Sequence, residues 1–176
     1  MRKSSQRIKQ ITVSAMLSAL GVIIMAVGAF VEVLDLSTAV LASMLCIFAV
    51  IEIKGSYPWL IWLSTSVLAL ILLPIKTPAV FYALFFGFYP ILKEKLERLS
   101  RIVSWILKLV IFHACIGLIF GVFKLFVPVA LEGVGGGWML ALLYAMGLAC
   151  FILYDIALTR LITFYIFRLR NRFRIK

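Results

Sequence analysis

The 18 Lys and Arg residues of this 176-residue chain fall in islands, and their spacing constrains the fold more than any motif does. They concentrate at residues 2–9, Lys54, residues 93–101 and residues 160–176, separated by long uncharged stretches of the kind a bilayer accepts. Lys and Arg collect on the cytoplasmic side of membrane proteins, so the islands imply an orientation as well as a topology. If the chain crosses six times, every second connection is basic and both termini are cytoplasmic. On that reading the cytoplasmic side and its adjoining helix ends hold every Lys and Arg except Lys76 and Lys124. The expected fold class is an all-α integral membrane protein with six transmembrane helices in a single domain, residues 1–176.

Composition agrees. The apolar share is 65%, where soluble domains sit near roughly half, and the mean hydropathy is +1.16. A formal charge of +11 first suggests nucleic acid, but the charges flank apolar spans instead of forming one stripe on a soluble face. Anionic lipid on the cytoplasmic leaflet is the better partner, at about 1 kcal/mol per basic residue near the surface. The run Arg168, Arg170, Arg172, Arg174 and Lys176, interleaved with Phe167 and Phe173, reads either as part of that layer or as a solvated stop signal. Cys46, Cys115 and Cys150 are odd in number, widely spaced and set in apolar stretches. They indicate neither a disulfide framework nor a metal cluster.

A span needs about 20 apolar residues. The first covers residues 11–31; it is long for a signal peptide, and further spans follow. Glu32 and Asp35 close a short external turn before a second span at 37–53. Gly55, Ser56 and Pro58 turn the chain inside, and Trp59 and Trp62 sit at headgroup level in the first part of the third span, 57–73. Pro74 and Pro78 bracket Lys76 in a rigid external turn. The fourth span, 79–92, is short and aromatic and leads into KEKLERLSR, residues 93–101, read as an amphipathic helical connection. A fifth span covers 103–127, a glycine-rich external loop 128–137, and a sixth 138–160, followed by the basic tail 161–176.

Catalytic chemistry finds little support. His113 stands alone where a zinc site wants two or three close His or Cys, and no nucleophile elbow or phosphate loop appears. Asp155 is placed near the inner end of the last span, which argues against a proton relay built on mid-span carboxylates. The expectation is a protein that is not an enzyme and holds no metal or cofactor. Polar and aromatic groups gather instead at the external ends: Glu32 and Asp35 at the first loop, Lys76 and Tyr82 at the second, Lys124, Trp138 and Tyr144 around the third. Pockets are mostly apolar and aromatic with a few convergent polar groups, so these seven form the candidate small-molecule site. For each alone, an interface anchor or a solvated turn is the plainer role.

The first span carries Ser14-Ala15-Met16-Leu17-Ser18-Ala19-Leu20-Gly21. Ala15 and Ala19, four apart, share one helix face and let another helix approach closely. In its length, six spans and inside termini, the chain resembles the substrate-binding S components of energy-coupling factor transporters, with residue-level likeness confined to residues 13–21. The resemblance implies a subunit that binds a vitamin or similar small molecule, in a bacterial plasma membrane importer, with an S-component-like bundle. It also implies partners: a transmembrane coupling subunit, docked through Ala15 and Ala19, and two ATPase subunits. The competing expectation is a scaffolding membrane protein of cell-envelope assembly, of the rod-shape accessory type, with partner-facing grooves and no transport role.

Overall fold

The computed structural model describes residues 2–31, 34–53, 55–126 and 137–169. Among them every regular element is a helix. In chain order these are α1 (Arg2–Phe30), α2 (Asp35–Glu52), α3 (Tyr57–Leu72), α4 (Thr77–Phe81) with a π-helical turn at Tyr82–Phe86, α5 (Tyr89–Leu96), α6 (Arg101–Phe126), and α7 (Gly137–Phe164), which ends in a second π turn at Tyr165–Leu169. Stretches of α1, α2, α6 and α7 are long and apolar enough to cross a membrane; α3 is apolar but shorter. At 1.5 Å per residue α3 extends about 24 Å, less than the roughly 30 Å of a hydrocarbon core. Among the described residues four helices are thus of membrane length, against the six spans expected, with α3 and the α4–α5 segment as shorter elements.

Helix ends follow backbone rules. Leu73 precedes Pro74 and is extended, with ψ 136°, as the clash with a following proline ring demands, so α3 stops at Leu72. Gly55 turns the chain between α2 and α3 at φ 71°, a conformation that costs other residues but not glycine. The sixth span, expected at 138–160, continues as helix past Arg160 to Phe164 and then through the π turn.

Two segments differ from expectation. Residues 79–92 are not one helix, because the π turn at Tyr82–Phe86 and a bend at Gly87–Phe88 divide them. KEKLERLSR is helical only to Leu96, and residues 97–100 turn the chain into α6. The amides of Arg98 and Leu99 bond three residues back, to Lys95 and Leu96, which tightens the end of α5.

The chain divides into two compact units, Met1–Ile111 and Phe112–Lys176, with α6 running from the first into the second. In the N-terminal unit α1 packs along both α2 and α3, and α2 also meets α4 and α5. Its main core joins Val22, Met25 and Ala29 of α1 to Ala39 and Ala42 of α2, Ala69 and Leu73 near the end of α3, and Ala79 and Tyr82. Small residues let these backbones approach, which is how helices associate in lipid. A methyl added to Gly28 would lie 2.0 Å from Thr38 Oγ1 and 2.8 Å from its Cβ. In the C-terminal unit α6 and α7 meet through rings: Phe112 stacks on Phe151 at 4.7 Å and 20°.

Candidate functional site

The two ends of the N-terminal unit differ chemically. At one end the C-termini of α1 and α3 meet the N-termini of α2 and α4, as the shared core of Ala29, Ala39, Leu73 and Ala79 requires. Asp35 and Lys76 lie there, at the head of α2 and just before α4. Lys76 is exposed, and its ammonium donates to the carbonyl of Leu73, the last residue before Pro74. Tyr82 opens the π turn that follows α4 and is 1% exposed, packed in the main core. It is a wall of the bundle and shows no face at the surface.

The remaining predicted ligand residues belong elsewhere. Trp138 is 75% exposed at the start of α7. Tyr144 is bonded through its hydroxyl to His113 Nε2 across the α6–α7 hairpin. The side chain of Lys124 lies outside the described residues, as does Glu32. Asp35, Lys76 and Tyr82 thus share one compact unit, and Trp138 and Tyr144 belong to the other. Asp155 is buried and Arg160, five residues on along α7, is exposed; a spacing of five sets two residues on different helix faces.

Helix α1 carries small residues on two faces. Ser14, Ser18, Gly21 and Gly28 point inward, with Ser18 and Ser64 hydroxyls 2.7 Å apart. Ala15 and Ala19 are exposed on the other side, flanked by Met16, 67% exposed, and Ile23, 60% exposed. The predicted docking residues therefore lie at the surface of the unit, outside its α1–α3 packing.

Three local constellations escape sequence reasoning. In the π turn each hydrogen bond spans five residues, as Gly87 N to Tyr82 O does at 2.7 Å, and the wider turn leaves carbonyls without helical partners. The Trp62 indole N–H donates to one of them, Ala83 O, at 3.1 Å. Its ring rests on Gly87, where an added methyl would lie 2.4 Å from Trp62 Cδ1. Second, Lys93 is fully buried and lies 3.1 Å from Glu97, whose carboxylate is 3.8 Å from the nearly buried Lys108 of α6. This pairing fastens the start of α6 to the end of α5. Third, His113 and Tyr144 form a polar pair beside the Phe112–Phe151 stack. Only Gly87, amid an aromatic run, offered a sequence signal for the first; the second and third join residues distant in the chain or read as solvated charge. Among the described residues no three His, Cys, Asp or Glu side chains gather as metal ligands.

No family model, curated protein or solved structure matches this chain.

Proposed function

We propose that the chain is a multi-pass bacterial plasma membrane protein with both termini inside, acting as the substrate-binding subunit of an energy-coupling factor importer. It captures a vitamin-sized molecule from outside and docks through α1 on a membrane coupling subunit that works with two ATPases. It has no catalytic chemistry of its own. The observation that carries this reading is the two-sidedness of α1. Its inward small residues are used in packing against α2 and α3, while Ala15 and Ala19 remain exposed at helical spacing. A helix needs no second small-residue face to hold its own bundle together; such a face lets another helix approach. Exposed basic side chains at one end of the N-terminal unit agree with the inside orientation. On this reading Asp35 and Lys76 border the ligand entrance at the opposite end, and Tyr82 supports it from below.

Ala15→Trp tests the docking face. Uptake and co-purification of the coupling subunit should both be lost, while ligand binding by the isolated protein and its thermal stability stay unchanged. Uptake at the wild-type rate in Ala15→Trp would end this reading. Recovery of cell-wall machinery, without ATPases or a small molecule, would assign the same face to a scaffold.

A further inference from the structure

Basic side chains from two parts of the N-terminal unit converge at one end. Val13 of α1 packs beside Ile53, Tyr57 and Ile61, and Val50 packs beside Ile91 and Trp59, so the start of α1 and the end of α5 share a level. Arg7 and Lys9 are exposed on α1, as are Lys95, Arg98 and Arg101 where α5 turns into α6. The cations at this corner divide into three kinds, and Arg98 is already paired at the surface with Glu94 at 2.7 Å. Lys93 and Lys108 are held inside by Glu97. Lys95 faces outward with its ammonium 5.7 Å from the centroid of the Trp59 ring, a cation–π distance that leaves its other protons open to an anion. Arg101 opens α6, whose first turn contains no acidic residue, so the positive end of the helix dipole reinforces it.

Past Arg101 the surface changes character within a single turn. Ile102 is 74% exposed, Val103 44%, Trp105 40% and Ile106 56%. A cationic edge running directly into exposed aliphatic and indole surface matches the boundary between headgroups and acyl chains, where Trp is enriched. We infer that the α5–α6 corner is a binding site for an anionic phospholipid, with Lys95 and Arg101 engaging the headgroup phosphate and Ile102 and Ile106 lying against the first acyl carbons. A zwitterionic headgroup brings its own cation to the site and gains less, so the site selects for net negative charge. The inference rests on the membrane-embedded part of the proposed function and is independent of any coupling subunit.

The test is quenching of Trp105 in phosphatidylcholine nanodiscs, isolated as the difference between wild type and Trp105→Phe. Brominated phosphatidylglycerol should quench it at about thirtyfold lower mole fraction than brominated phosphatidylcholine, since the two basic residues contribute about 1 kcal/mol each. Lys95→Gln combined with Arg101→Gln should abolish that preference while leaving thermal unfolding unchanged. Equal quenching by the two lipids in the wild type, or an undiminished preference in the double variant, would overturn the site. Loss of the preference on adding inorganic phosphate would also overturn it, by assigning the corner to a soluble anion. A protein that cannot be recovered in nanodiscs would remove the membrane reading itself, whereas equal quenching removes only the lipid site.

Discussion

The N-terminal unit and the α6–α7 hairpin solve one problem in two ways. In lipid an apolar side chain gains little by leaving acyl chains for another helix, so association depends on close packing and on polar or aromatic contacts. Residues 1–111 use proximity: Gly21 lies against Thr65 and Gly28 against Thr38, with Ala39, Ala42 and Ala69 filling the core between. Residues 112–169 use rings, with Phe112 on Phe151 and His113 bonded to Tyr144. Proximity depends on the absence of single atoms, whereas rings spread their contact over many. The first unit should therefore be far less tolerant of small additions, and the second more sensitive to losses than to additions.

Gly28→Ala should have the largest effect. The new methyl would sit within 2.9 Å of three Thr38 side-chain atoms, including its Cβ, which is fixed to the α2 backbone. Rotating the hydroxyl away cannot relieve that contact, so α1 and α2 must separate. Overpacking of this kind costs about 3 kcal/mol, read as a lower unfolding midpoint in detergent. Thr38→Ala in the same background should restore part of the loss. Gly21→Ala, whose methyl meets Thr65 Cγ2 at 3.1 Å, should cost clearly less. Equal midpoints for Gly28→Ala and wild type would refute the close α1–α2 contact.

Phe151→Ala comes next and sharpens the comparison. Phe151 is 2% exposed, and in a water-soluble core its truncation would cost about 4 kcal/mol. In lipid much of that transfer term vanishes, leaving mainly the aromatic pairing at about 1 kcal/mol. Measured in a bilayer, the smaller figure supports a lipid-exposed hairpin, and the larger one contradicts it. Trp62→Phe should cost a similar 1 kcal/mol or so by leaving Ala83 O without its indole donor. Substituting Phe keeps the edge-to-face contact geometry with Trp59, 5.7 Å away at 85°, so a loss above that figure would show that the indole does more than donate.

Much of this was legible because charge marks helix ends in a chain that is otherwise apolar. Pro74 stopped α3 for a reason a reader can derive, and Gly55 marked the turn between α2 and α3. The break in residues 79–92 was not legible, since Phe81, Tyr82, Phe85 and Phe86 suit a straight helix as well as a π turn. The partner that meets the turn is Trp62, twenty-one residues earlier, whose indole donates to Ala83 O. The small-residue stripe on α1 was visible but ambiguous. Ser14 and Ser18 have the same spacing as Ala15 and Ala19 one residue earlier, and periodicity alone cannot say which pair faces the bundle. The candidate ligand residues were gathered by loop position, which conveys the end of the molecule at which a residue lies but not its compact unit. That is why the structure divides Asp35, Lys76 and Tyr82 from Trp138 and Tyr144.

The smallest effect belongs to Gly117→Ala, and it is the most direct control on Gly28→Ala. The two glycines stand in long apolar helices, but a methyl at Gly117 meets no atom within 4 Å, and the same holds at Gly121 one turn later. With no neighbour to displace, only the intrinsic preference of alanine for helix remains. The unfolding midpoint should stay within about 0.5 kcal/mol of wild type, or rise slightly. The same methyl that forces α1 and α2 apart is thus nearly silent on α6. If Gly117→Ala instead destabilises the protein as Gly28→Ala does, this stretch of α6 is itself a close helix contact, and the contrast between a unit built on proximity and a hairpin built on rings fails.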